Sequence, residues 1–208
     1  MSTQEKILDA AEALFAEYGF VGTSLRAITQ SAEVNLASVN YHFGSKEALV
    51  KAVLQRRSEP LNQSRIARLE AVIAEGNPSL EALLTAFVSP ALEMTDSEDG
   101  ARYIKLLARI TIEPMGELRD SLNAQYEAVM TRFMPPLREH LPELSQEALL
   151  WRIHFVLGTL GYCMAGKDAV LLESQGALFE QTSAAQMIQR LVRFLCAGLR
   201  SPELDVSL

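Results

Sequence analysis

Residues 25–43 read LRAITQSAEVNLASVNYHF, and this stretch decides the fold. Thr23 or Ser24 is placed to cap a short helix with Leu25, Ile28 and Ala32 inward, and Asn35 to cap the next, from about Leu36 to Phe43. Two short helices joined through Ala32-Glu33-Val34-Asn35 have the dimensions of a helix-turn-helix. With Val39 set inward, a turn of about 100° per residue brings Asn35 and Phe43 within about 40° of it and sends Ala37 and Tyr41 about 160° away, with Ser38 and Asn40 to either side. The outward face is therefore Ala37, Ser38, Asn40 and Tyr41. A small side chain permits close approach, Ser and Asn hydrogen-bond base edges, and Tyr reaches phosphate. Arg26 and Lys46 flank this face with positive charge. Spacing alone leaves an ordinary small helical bundle with a solvated polar face as the alternative.

Working outward, Ser2-Thr3-Gln4-Glu5 is a capping-box sequence, followed by Ile7, Leu8, Ala11, Leu14, Phe15 and Tyr18 on one helix face, with Gly19 as the stop. Ser45 and Glu47 start a fourth helix with Leu49 and Val53 buried. After Pro60, helices are expected at about 61–75, 79–95, 101–113, 117–141, 145–165 and 183–200, with a kink at Pro90 and a bend or break at Pro135-Pro136. No alternating segment signals a strand. The fold class is all-α, with a helix-turn-helix domain expected over 1–57, a second helical domain over 58–200 and a flexible tail over 201–208.

The 208 residues carry 19 Lys+Arg against 26 Asp+Glu, a net charge of -7, which taken whole counts against nucleic acid. The distribution reverses that inference. Six bases and six acids cancel over residues 1–57, and residues 22–57 alone hold five bases against two acids, so the entire excess of acid lies beyond residue 57. Cys163 and Cys196 form neither a disulfide framework nor a metal spacing. No apolar run approaches a membrane span and the N-terminus has no signal core, so a cytoplasmic protein is expected, without membrane, metal or cofactor.

The runs Thr23–Thr29, Ala32–Asn35 and Val39-Asn40-Tyr41-His42-Phe43-Gly44-Ser45-Lys46-Glu47-Ala48-Leu49, with Ile7–Ala11, Leu14-Phe15 and Tyr18-Gly19-Phe20 before them, resemble the DNA-binding domain of TetR/AcrR-type transcriptional regulators. The resemblance covers about 50 residues. It implies a regulator, most commonly a repressor, that binds a pseudo-palindromic double-stranded operator as a homodimer and is released by a small effector. It also implies that Leu36, Ala37, Ser38 and Asn40 lie nearest the bases while Tyr41, His42 and Lys46 touch the backbone, although His42 is equally suited to a packed role. Two positions depart from the family pattern. Glu33 stands where a Gly is usual, at a cost of about 1 kcal/mol if its backbone is left-handed, and Asn40-Tyr41 replaces a tyrosine-rich pair, so the base-reading face is this chain's own.

The remaining 150 or so residues resemble the family's effector-binding and dimerisation part. Leu149, Leu150, Ile153, Val156, Leu157, Leu160 and Met164, with Gly158 and Gly161, make a wide apolar stripe, as do Met187, Ile188, Leu191, Val192, Leu195 and Leu199. By the resemblance these are a two-fold four-helix interface, with Ile153, Leu157, Leu160, Gly161, Met164, Met187, Leu191 and Leu195 in it; a single-chain core is the other reading. Leu83, Phe87, Ile104, Leu107, Ile110, Met130, Phe133 and Met134 are candidates to line an apolar effector pocket, and Arg109 or His154 to pair with a ligand anion or a structural acid. Trp151 to Phe155 with Leu157-Gly158 is similar to regulators of fatty-acid metabolism, which implies a fatty acid or acyl-CoA as effector. An enzyme is disfavoured: His154 and Cys163 point to opposite helix faces, and no phosphate loop, metal motif or nucleophile elbow occurs; a helical protein-interaction module without sequence-specific DNA binding is the alternative function.

Overall fold

A computed structural model describes residues 1–112, 116–165 and 182–203, with side chains at 1–107, 126–164 and 182–203. The helices are α1 (Thr3–Gly22), α2 (Leu25–Ser31), α3 (Leu36–Phe43), α4 (Lys46–Ala74), α5 (Leu80–Glu93), a 3-10 turn (Met94–Asp96), α6 (Glu98–Ile112), α7 (Gly116–His140), α8 (Gln146–Ala165) and α9 (Ala184–Leu199). No strand occurs among the described residues. They form two units, Met1–Asn62 with Met94–Gln125, and Gln63–Glu93 with Tyr126 to the chain end.

The helix starts in the first unit obey local chemistry. Ser2 and Glu5 close the capping box, Ser24 Oγ accepts from Ala27 N–H, Asn35 Oδ1 from Ser38 N–H at 2.8 Å, and Ser45 Oγ from Ala48 N–H. Gly19, at φ 72°, interrupts α1, and Thr23 Oγ1 donates to the Gly19 carbonyl at 2.8 Å. Ile7, Phe15, Ile28, Val39, Leu49 and Val53 are fully buried in this unit. α6 packs against α1 and adds Tyr103, Ile104 and Leu106 to the core. Gly100 is required there, because a Cβ on it would sit 2.1 Å from the Met94 carbonyl oxygen.

Several interior prolines run against the sequence reading. The break expected at Pro60 is absent: α4 is one helix of 29 residues with Pro60 inside it. Pro135 and Pro136, expected to bend or break their helix, likewise lie within α7, whereas Pro90 lies inside α5 as the expected helix over 79–95 had it. Each proline removes one N–H donor, and burial of the flanking apolar side chains outweighs that loss. In the second unit α5 packs on α9 and α8, with Leu80, Leu83, Phe133, Leu160 and Leu199 buried. Residues 201–203 of the expected tail are held: Glu203 accepts from Ser145 N–H and Oγ, at 3.0 and 2.6 Å, and Arg152 donates to the Leu199 and Pro202 carbonyls.

Candidate nucleic-acid interface

α3 has a single fully buried residue, Val39, which fixes the helix's roll and turns the remaining side chains outward. Leu36, Ala37, Asn40, Tyr41 and His42 are exposed, Tyr41 at 86%, and Ser38 is half-buried. The Ser38 hydroxyl donates to Asn35 Oδ1 at 3.0 Å, so its proton is engaged by the cap and its oxygen is left to act as an acceptor. His42 is on the surface rather than in the core, its ring 5.1 Å from that of Tyr41 in an edge-on arrangement. Arg26 is exposed, and Lys46 is half-buried with Nζ 4.2 Å from the centre of the Phe20 ring, a cation–π contact that holds the ammonium at the start of α4.

The turn between α2 and α3 is left-handed at Glu33, φ 55°, as the family comparison of that position implied. The positive charge available to phosphate is smaller than the residue count. Arg56 donates to Asp9 at 2.7 Å and to Glu12 at 2.6 Å, and Arg57 to Glu12 at 3.2 Å. Glu12 is 1% exposed, so these arginines fasten α4 to α1 instead of facing solvent. Arg26, Lys46 and Lys51 remain as the outward cations of residues 22–57. Sequence reading missed this network because its partners lie more than forty residues apart.

The second unit separates residues that the sequence grouped together. An apolar cleft is lined by Leu83, Leu84, Phe87, Met130, Phe133, Leu137, Ile153, Val156 and Leu157. Leu83, Phe87, Met130 and Phe133 are thus brought together as expected. Met134 is half-buried but not in the lining, and Ile104 and Leu107 are buried in the other unit, on α6. Arg109 and Ile110 lie outside the residues whose side chains are described. His154 is exposed on α8, ring to ring with Trp151 at 6.0 Å and Phe155 at 6.3 Å.

Most of the expected dimer stripe is buried within the protomer. Ile153, Leu160, Met164, Leu191 and Leu195 are buried within the protomer, and Leu157, Gly161 and Met187 are half-buried. The opposite side of α8 carries Trp151, Phe155 and Tyr162 at 55%, 61% and 50% exposure, with exposed Gly158 between them, and α9 adds Phe194 at 66%. On a helix, residues 151, 155, 158 and 162 fall within about 60° of arc, roughly opposite 149, 153, 156, 160 and 164. That second apolar stripe was legible in the sequence but was hidden by the first, longer one.

No group of three or more metal-ligating side chains occurs, and no helix is long and apolar enough to cross a membrane, among the described residues. Cys163 is half-buried, and burial pushes its thiol pKa up, away from a reactive thiolate.

Comparison with known proteins agrees with the geometry. Residues 7–53 match "Bacterial regulatory proteins, tetR family", and residues 85–198 match "Tetracyclin repressor-like, C-terminal domain". The transcriptional dual regulator CecR of Shigella flexneri is 23% identical over 86% of this chain and 82% of its own. The probable transcriptional regulator YttP of Bacillus subtilis is 45% identical over 24% of this chain and 25% of its own. Among solved structures, the fatty acid degradation regulator FadR from Bacillus halodurans superposes with a TM-score of 0.71 at 15% identity, covering 97% of this chain and 98% of that one. FadR from Bacillus subtilis, in complex with stearoyl-CoA, gives 0.65 at 17%, covering 93% and 98%. Relatives and family are regulators rather than enzymes. With a capped recognition helix at one end and the second family match spanning more than half its length, the chain belongs to the TetR family of DNA-binding transcriptional regulators.

Proposed function

We propose that this regulator is a cytoplasmic repressor that binds a pseudo-palindromic operator as a homodimer and is released by a small apolar effector. The observation that carries the DNA reading is α3: Val39 fully buried, and Leu36, Ala37, Asn40 and Tyr41 outward beside Arg26 and Lys46. Leu36, Ala37, Ser38 and Asn40 meet base edges; Arg26, Tyr41, His42 and Lys46 meet phosphates. One recognition helix reads only a few base pairs, so a two-fold pair reading two half-sites supplies the specificity.

The dimer surface is the exposed aromatic stripe of Trp151, Phe155 and Tyr162 with Phe194, because an apolar face of this kind marks an interface. Gly158 and Gly198 have open space where a Cβ would stand, which favours close approach of a second helix pair. The effector enters the cleft at Phe87 and Phe133, where every lining residue is apolar. A fatty acyl chain is the version favoured by the two FadR likenesses. An effector that binds the DNA-competent and DNA-incompetent conformations unequally shifts DNA affinity, by altering the spacing or tilt of the recognition helices through α4.

Selection of bound fragments from random DNA tests this reading. The expected product is a palindrome-like sequence whose binding falls sharply in Tyr41→Ala and Lys46→Ala; a purified protein that prefers no sequence at physiological salt rejects it. For the acyl effector, titration with fatty acids and acyl-CoAs is expected to raise thermal stability and release the operator, and absence of both rejects that version.

A further inference from the structure

We propose that Ser38 reads the operator's major groove as a hydrogen-bond acceptor of fixed polarity, matched to the exocyclic amino group of adenine or cytosine and opposed to the carbonyl oxygen of guanine or thymine. This rests on the reading of α3 as the recognition helix and adds the direction of one of its contacts. A free serine hydroxyl rotates and both donates and accepts, so by itself it distinguishes no base pair. The Ser38 hydroxyl is not free. Asn35 Oδ1 accepts from the Ser38 backbone N–H at 2.8 Å and from Ser38 Oγ at 3.0 Å.

The backbone settles the direction of both bonds. A peptide N–H only donates, so the Asn35 side-chain atom beside it is the carbonyl oxygen and not the amide nitrogen. That oxygen has no proton, so the hydroxyl 3.0 Å from it is the donor, and Oγ has lone pairs alone to offer a ligand. At the Ser24, Ser45, Ser79 and Ser145 caps, by contrast, the N–H taken up belongs to Ala27, Ala48, Ala82 or Ala148, which have no hydroxyl to fix. Ser38 is half-buried, which leaves its oxygen within reach of a ligand on a helix whose Ala37, Asn40 and Tyr41 are exposed. In the major groove each base pair shows one amino donor, on adenine or cytosine, and its partner base shows a carbonyl acceptor. A fixed acceptor pairs with the first and meets the lone pairs of the second, so reversing the base pair turns attraction into repulsion. Asn40, about 160° from Ser38 around α3, has both an oxygen and an NH2 group, so it is under no such restriction and its base position is a separate one.

The test uses the full chain and duplexes selected from random DNA by the wild type and by Ser38→Ala. One base position is expected to lose its preference in Ser38→Ala, and a different one in Asn40→Ala. At the Ser38 position the amino group is then deleted, with purine in place of adenine or 2-pyrimidinone in place of cytosine, and affinities are compared in gel shifts. The wild type is expected to lose about three- to tenfold more than Ser38→Ala, the usual net effect of one neutral hydrogen bond. The weakened base pairing is common to both proteins and cancels. Deleting the carbonyl of the partner base, with 2-aminopurine for guanine or 5-methyl-2-pyrimidinone for thymine, is expected to affect both proteins alike. Asn35→Gly keeps a tolerated cap residue but frees the hydroxyl proton. Reversal of the base pair is expected to weaken wild-type binding about tenfold or more and that of Asn35→Gly about threefold or less. The proposal is overturned by equal losses on amino deletion, by a Ser38-dependent loss on carbonyl deletion, by no position changing in Ser38→Ala, or by an unaltered reversal effect in Asn35→Gly. The deletion comparison needs only the wild type and Ser38→Ala, and decides the matter where Asn35→Gly does not fold. A wild type that selects no sequence overturns the DNA reading itself, an outcome distinct from all of these.

Discussion

α3 and α8 are both apolar on the side they bury, yet their faces are determined to very different degrees by sequence. α3 has one fully buried side chain, Val39, and only one roll of the helix satisfies it. α8 buries Leu149, Ile153, Val156, Leu160 and Met164 on one side and exposes Trp151, Phe155 and Tyr162 on the other. A helix with one narrow stripe has one inward direction, whereas a helix with two stripes leaves open which is core and which is interface.

The largest effects come from testing the two sides of α8. Leu160→Ala is expected to cost the protomer about 2–5 kcal/mol in denaturant unfolding, as a core cavity does. Phe155→Glu is expected to leave the protomer folded but convert dimers to monomers in sedimentation velocity. Exchanged outcomes would restore the first stripe as the interface.

Next in size is the recognition face. Asn40→Ala is expected to weaken operator binding by about 1–3 kcal/mol and relax preference at one base position, in competition gel shifts. Lys46→Ala is expected to lower the slope of log affinity against log salt by about 1 with little change of sequence preference. Arg56→Ala, by contrast, is expected to leave that slope unchanged and reduce stability, since its charge is spent on Asp9 and Glu12. An equal drop in slope for both variants would show that Arg56 also reaches phosphate.

Smaller still, Glu33→Gly removes the side chain from a left-handed position and is expected to stabilise the fold by about 1 kcal/mol or less, the relief being partly offset by the freer unfolded chain. The smallest effect is at the chain end. The Ser145 hydroxyl and then its N–H hold the Glu203 carboxyl below its ordinary 4.5. The contribution of this contact is complete above pH 4.5 and is lost as pH falls through the lowered folded value. Glu203→Gln is expected to remove that part of the acid dependence in urea melts between about pH 3 and 7, leaving stability at neutral pH slightly reduced.

How much could be read in advance follows the range of each interaction. Caps act over three residues, so Ser2, Ser24, Asn35 and Ser45 are legible as helix starts, and with them the helix-turn-helix and its outward residues. The left-handed turn at Glu33 is equally local. Prolines mislead where their cost is local while the compensation is not: Pro60, Pro135 and Pro136 lie inside helices once the surrounding apolar side chains pack. Gly100 escapes notice for the same reason, its need set by a carbonyl in the preceding turn of 3-10 helix.

By itself the sequence determined the all-α class, the caps, the roll of α3 and the family, because each depends on neighbours within a helical turn or two. Tertiary structure alone decided that Arg56 and Arg57 are bound to α1 rather than offered to DNA, that Ile104 and Leu107 are buried on α6 apart from the cleft, and which stripe of α8 is core. These are choices of partner between residues distant along the chain. Charge and apolarity say that a partner is needed; only packing says which one is within reach.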